Sequence, residues 1–304
     1  MVERTPIFDL VSQILLALGL LTALAPFAVV LIAATQDLRT VNLVPMPLIP
    51  GPHLWENLSE AWSRVDFGGK MLNSFVFAAG VALGKVFIAA LSAFSIVYFR
   101  YAGRILIFWL IFITLMLPLE VRIVPTYAVA ANALGPYQAL LDLTGLTWLI
   151  EHLAGIKLKL HWGLLDSYTG LILPLVATAT GTFLYRQFFL TLPDELLEAA
   201  KMDGVRPLRF FRDMIVPLSR TNMLALGTIM FVWAWNQYLW PLLVTTDSAH
   251  GTAVTQLREL IPQTNGTPDW HIAMAGTLVV MLPPLVVVIF MQRWFVRGLV
   301  ATEK

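Results

Sequence analysis

The sequence predicts an all-α membrane protein with six transmembrane helices. Charged residues make up 13% of the 304-residue chain and hydrophobic residues 58%, whereas an ordinary soluble domain carries about 25% charged residues. Residues 10–36, 167–185, 221–246 and 272–292 contain no Asp, Glu, Lys or Arg. A helix needs roughly 20 mostly apolar residues to cross the hydrocarbon layer. Backbone polar groups in lipid must be bonded within their own segment, so such runs fold as helices. Two further runs are apolar with few interruptions: 71–98, broken only by Lys85, and 105–131, which holds Glu120 and Arg122 beside Pro118 and Pro125. The expected spans are about 10–36, 71–98, 105–131, 167–189, 220–244 and 271–296, in one domain covering 1–304. The chain has no cysteine, which excludes disulfides and thiolate metal sites.

The first run is longer than a usual signal core and contains Pro26, so it reads as a retained helix. The loop 37–70 opens with Pro45, Pro47, Pro50, Gly51 and Pro52, marks of irregular backbone, and Trp55 and Trp62 read as interface anchors. The segment 132–167 is long for a loop. Within it Tyr137 to Ile150 places apolar residues at helical spacing, which predicts one helix on the outer surface or against a partner. The loop 186–220 predicts two short helices. Thr191 is the candidate N-cap of the first, with Asp194 three residues later; Gly204 stops it in the left-handed region. Pro207 starts the second, which runs to about Met214 and is ended by Pro217. The loop 245–270 carries turn signals at Asn265-Gly266 and Thr267-Pro268.

Six spans leave both termini on one side. With the termini inside, the inner segments hold twelve Lys and Arg and the outer ones seven, with Lys85 left in a span. Cationic side chains resist translocation, so both termini are expected in the cytoplasm.

The segment Glu198-Ala199-Ala200-Lys201-Met202-Asp203-Gly204 lies in the most cationic of these inner loops. Nine residues beyond Gly204 come Met214-Ile215-Val216-Pro217. This spacing resembles the shared motif of the inner-membrane permeases of binding-protein-dependent ABC importers: Glu-Ala-Ala, three residues, Gly, nine residues, then Ile-x-Leu-Pro. Met214 and Val216 replace the usual Ile and Leu and stay apolar. The stretches Leu117 to Ile123, Arg186 to Phe189, Leu192 to Leu196, Trp235 to Leu242 and Gln292 to Val300 resemble the carbohydrate-uptake class. Within it the likeness is strongest to the branch that carries glycerol-3-phosphate and pairs with a second, different permease. About 134–162 looks like an insertion relative to that branch.

The resemblance implies the six-helix ABC permease fold and a subunit that performs no catalysis. It implies a docking knob built on Glu198, Ala199, Ala200, Asp203, Gly204 and Pro217, seated in a groove of a cytoplasmic ATPase dimer. It implies a second permease, an external solute-binding protein, and ATP with Mg²⁺ on the ATPase, with no cofactor on this chain. Glycerol-3-phosphate or a related glycerophosphodiester is the implied solute. A neutral sugar or polyol is the alternative within the class, and an ion-coupled secondary transporter is the alternative outside it.

The residues themselves offer pathway candidates. Lys85 lies too deep in its span to snorkel easily, and an intramembrane cation faces a polar cavity or an internal partner. Arg122 suits phosphate recognition, or forms a charge pair with Glu120 at the membrane edge. Trp235, Asn236 and Tyr238 combine stacking surface with hydrogen-bonding groups, or belong to an interfacial aromatic belt. Gly80 to Val86 fails as a phosphate loop: the glycines are too close and no Ser or Thr follows Lys85. His53, His152, His161, His250 and His271 have no metal spacing on a helix, and no nucleophile–base pair is expected at membrane depth. No nucleic-acid partner is expected.

Overall fold

The computed structural model describes residues 6–261 and 267–300. All regular structure among them is helical. In chain order come α1 (Pro6–Ala34), α2 (Leu38–Val41), α3 (Leu54–Arg64) and α4 (Phe67–Tyr98). Then follow α5 (Arg104–Met116), α6 (Leu119–Ala131), α7 (Gly135–Leu143), α8 (Leu146–Ala154), α9 (Tyr168–Ile172) and α10 (Ala179–Phe189). The rest are α11 (Asp194–Met202), α12 (Pro207–Phe210), α13 (Val216–Trp235), α14 (Leu239–Val244), α15 (Ala253–Gln256) and α16 (Trp270–Val300).

Four stretches are each long and apolar enough to cross a bilayer: Ile7–Ala34, Phe67–Tyr98, Pro207–Trp235 and Trp270–Gln292. Tyr168–Leu175 and Ala179–Phe189 qualify together as a fifth, bent by 49°. The expected span at 105–131 is split into α5 and α6, of 13 residues each. Each is about 20 Å long at 1.5 Å per residue. The break falls at Leu117-Pro118, because the residue before proline is driven out of the helical region; Leu117 sits at φ −61°, ψ 131°.

Two expectations about helix ends are corrected. Pro217 does not end the second helix of the 186–220 loop. The chain runs from Pro207 through a π-helical turn at Phe211–Ile215 directly into α13. Pro217 is the second residue of α13, inside this continuous stretch and directly after the π-helical turn, where the helical ladder is already interrupted. The helix expected from Tyr137 to Ile150 is two helices, because Gly145 takes φ +74° between α7 and α8. The turn expected at Asn265-Gly266 and the last residues, 301–304, lie outside the described residues.

The described chain forms two compact units, Met1–Met71 with Thr255–Pro283 and Leu72–Val254 with Pro284–Lys304. In the first, the carbonyls at the end of α1 have no helical partners and need others. Asn57 supplies two: its Nδ2 donates to Ala34 O (2.9 Å) and Gln36 O (2.8 Å). The His53 N–H donates to Thr35 O (3.1 Å). Phe67 and Leu260 are fully buried here, and Arg64 donates to Asp269 Oδ2 at 2.8 Å.

In the second unit, α4 is the central support. Gly80 and Gly84, one turn apart, form a small-xxx-small face that lets another helix approach closely. A Cβ on Gly80 would lie 2.6 Å from Ile172 Cδ1, and one on Gly84 2.8 Å from Val176 Cγ2. These glycines are therefore packing residues. Nearer the start of α4, Asn73 Nδ2 donates to Ala249 O (2.7 Å) and Gly251 O (3.0 Å). Its Oδ1 accepts from the Tyr168 hydroxyl. Asp166 ties the chain before α9 to the end of α14, accepting from the Thr246 hydroxyl at 2.7 Å and the Asp247 N–H at 3.0 Å. The Thr246 hydroxyl, with the two amides, holds this carboxyl below its ordinary range.

Candidate functional site

At the Tyr98 end of α4 the second unit carries a compact knob made of α11 and α12. Thr191 does not cap α11. Its hydroxyl donates back to Phe188 O at 2.7 Å, and Pro193 holds the N-cap position without a side-chain bond. Asp194 and Glu195 in the first turn favour the start through the helix dipole.

The other end of α11 is a complete Schellman motif. Asp203 is the C-cap, and Gly204 follows at φ +65°. The Gly204 N–H donates to Lys201 O (3.1 Å) and the Val205 N–H to Ala200 O (2.9 Å). This is the bonding pattern that lets a helix stop in one residue and reverse. Ala200 and Val205, its apolar pair, both line a cavity of about 220 Å³ together with Phe94, Tyr98 and Phe210.

Ala200 is therefore 2% exposed and faces its own chain, which corrects the expectation that it presses into a partner. Glu198, Ala199, Asp203, Gly204 and Pro217 are exposed. Beside them stand Met202 at 83% and Leu208 at 73% exposure. Sequence reading missed both of these as part of the outward face, although a long apolar residue in a charged loop is itself a signal.

An aromatic cluster, also missed, holds the knob to α4. Phe94 lies 5.0 Å from Phe211 and 6.2 Å from Phe210, and Tyr98 meets Phe210 edge-on at 5.5 Å. The signal was present as Phe94 and Tyr98 four residues apart on one helix face and as the adjacent pair Phe210-Phe211. Closer to Asp194, a cavity of about 570 Å³ separates α11 from the end of α4, lined by Tyr98, Arg100, Phe189, Asp194 and Lys201 among others.

The pathway candidates come together only in part. Lys85 is buried, with Nζ 3.6 Å from the centre of the Trp233 ring, a cation–π contact that strengthens when water is excluded. Trp233, not Trp235, is its aromatic partner. Trp235 is buried and stacks on Phe231 at 5.8 Å, which corrects its placement on a pathway. Arg122 lies on α6, and its Nε is buried with no hydrogen-bond partner among the described residues. Glu120 and Arg122 both lie on helix α6, so their side chains diverge rather than pair. Asn236 and Tyr238 are exposed where α13 ends. Asn236 Nδ2 donates to Val232 O at 3.0 Å.

These features define a multi-pass helical membrane protein that exposes a charged knob and buries the cation Lys85 within a long apolar helix. The chain belongs to the family of binding-protein-dependent transport system inner membrane components, whose model matches residues 71–300. Over the whole of both chains it is 48% identical to the sn-glycerol-3-phosphate transport system permease protein UgpE of Pectobacterium atrosepticum. It is 47% identical over full length to the proteins of that name from Yersinia enterocolitica and Escherichia coli O157:H7. It also matches a chain in the crystal structure of a bacterial ABC transporter involved in the import of the acidic polysaccharide alginate. The TM-score is 0.74 over 97% of this chain and 99% of that one, at 17% identity, a likeness of fold. The protein is thus an ABC-importer permease of the bacterial inner membrane.

Proposed function

We propose that this permease forms one half of the pathway of an ATP-driven importer for sn-glycerol-3-phosphate or a related glycerophosphodiester, and performs no chemistry itself. The observation that carries the solute is the 47–48% full-length identity to relatives named for sn-glycerol-3-phosphate transport. The cations Lys85 and Arg122 support it. A phosphate ester is costly to bury without a counter-charge, and the unpartnered Arg122 Nε offers a charge-assisted donor. Asn236 and Tyr238 supply hydrogen bonds for hydroxyls.

In this reading both termini lie in the cytoplasm, and the knob faces a cytoplasmic ATPase dimer that binds ATP and Mg²⁺. Glu198, Ala199, Asp203, Gly204 and Pro217 lie on the docking side, with Met202 and Leu208 as apolar anchors. Ala200 supports them from behind. A second, different permease completes the pathway, and an external binding protein delivers the solute. The continuous helix from Pro207 to Trp235 gives the stroke a route: closure of the ATPase dimer displaces α11, the aromatic cluster carries α12 with it, and α13 moves inside the membrane.

The test is uptake of labelled sn-glycerol-3-phosphate in a host lacking its own permease, with the partner subunits co-expressed. Uptake that requires both the ATPase and the binding protein is expected. Uptake of a neutral sugar or polyol in its place overturns the solute. Uptake driven by an ion gradient without the ATPase overturns the class.

A further inference from the structure

The helical hairpin α7–α8 is the largest feature that the transport reading leaves unused. We infer that it is an interfacial anchor that lies in the lipid headgroup–acyl boundary at the Ala131 end of α6.

Neither helix buries a single residue. Their outward side is apolar: Leu140, Leu143 at 85% exposure, Leu146, Leu149 and Leu153 at 78%. Leu146, Leu149 and Leu153 fall at i, i+3 and i+7, one stripe along α8. The polar groups are turned away from it. Gln138 receives the Leu160 N–H at 2.9 Å and donates to Asp142 at 2.9 Å, and Glu151 lies 3.9 Å from Lys157.

The position of the hairpin is set by its base. The Ala133 N–H donates to Trp162 O and the Leu164 N–H to Ala130 O, both at 2.8 Å. The insertion therefore leaves and re-enters the fold at the end of α6, whose Val121, Val124 and Val129 are exposed. With each helix about 13 Å long, the hairpin stays near that end. Exposed Tyr137, Trp148 and Trp162, with Lys157 and Lys159 beside them, match the aromatic and cationic make-up of elements that sit at the membrane surface. The aromatic and cationic residues that flank the stripe favour a lipid surface over a soluble protein as its occupant.

The test uses the intact complex in native membranes. A photoactivatable benzophenone residue is placed at Leu149 or Leu153, and at Asp142 or Glu151 for comparison. Phospholipid adducts at 149 and 153, absent at 142 and 151, are expected. Crosslinks from 149 or 153 to the binding protein or the second permease overturn the inference, as does the absence of any adduct while uptake persists. If the bulky probe lowers abundance, single thiols replace it, since the chain has no cysteine of its own. In open membrane fragments Leu149→Cys should resist a water-soluble maleimide that labels Glu151→Cys, and should become reactive when the complex is solubilised in detergent. Protection that persists in detergent means a protein partner and overturns the inference, as does equal labelling of the two in membranes. None of these readouts depends on which solute is carried.

Discussion

Gly204 is the position where one substitution series separates backbone geometry from side-chain contact. Its φ is +65°, and a Cβ built on it would meet nothing within 4 Å. Replacing it therefore introduces no clash inside the chain. The cost is the left-handed conformation itself, about 1–2 kcal/mol for an ordinary L-residue, and more for a β-branched one. Asn enters this region several times more readily than most residues. If the Schellman turn must form for the knob to dock, that cost falls on docking, where 1–2 kcal/mol is roughly a 5- to 30-fold loss. The expected order of function is Gly, then Asn, then Ala, then Val, with Val uncoupled. The assay is retention of the ATPase on affinity-tagged permease, alongside uptake at matched membrane abundance. An order that follows side-chain size, with Ala better than Asn, would refute the backbone argument. Wild-type docking by Gly204→Val at normal abundance would refute the role of the turn altogether.

Glu198→Arg should abolish uptake while the protein still inserts normally; normal uptake at normal abundance would remove Glu198 from the docking face. Lys85→Met or Arg122→Met should lower uptake of a phosphorylated polyol more than that of a neutral analogue, and equal loss for both would mean that the two cations only hold helices together. Gly84→Leu drives a side chain into Val176 Cγ2, 2.8 Å from the Cβ position. Overpacking of this kind costs about 1–3 kcal/mol, so lower abundance and faster proteolysis are expected, with wild-type levels as the contrary result. The Asp166 carboxyl is held below its ordinary range. Its stabilising effect is therefore fully present above the unfolded pKa of about 4 and is lost only as pH falls through the lower folded value. Protease sensitivity of the 244–247 segment should be flat from about pH 5 to 8, and loosening near neutrality would contradict the tie.

What the sequence determined by itself follows from two local properties. Uncharged runs of sufficient length have one stable form in lipid, so the all-helical membrane class was legible from charge spacing alone. Backbone chemistry is equally local: Pro118 broke its helix and Gly204 took the left-handed turn because each residue restricts or frees its own φ and ψ. Leu117-Pro118 nevertheless left two short helices where a simple count of apolar residues gave one span. Pro217 misled for a related reason. A proline that ends a helix and one tolerated within it look alike in sequence, and only the continuity from Pro207 through the π-helical turn into α13 distinguishes them.

The tertiary structure decided which neighbours each residue meets, because those neighbours are far away in the chain. Ala199 and Ala200 are the same residue type side by side, yet one is exposed and the other packs beneath the turn, since the residues that cover Ala200 include Phe94 and Tyr98 on another helix. Trp233 and Trp235 are likewise interchangeable by composition, and only the packing of α13 on α4 put Trp233 rather than Trp235 over Lys85. Contacts across such separations depend on how helices pack, and that is set by the shapes of many side chains at once, such as the notch that Gly80 and Gly84 cut for Ile172 and Val176.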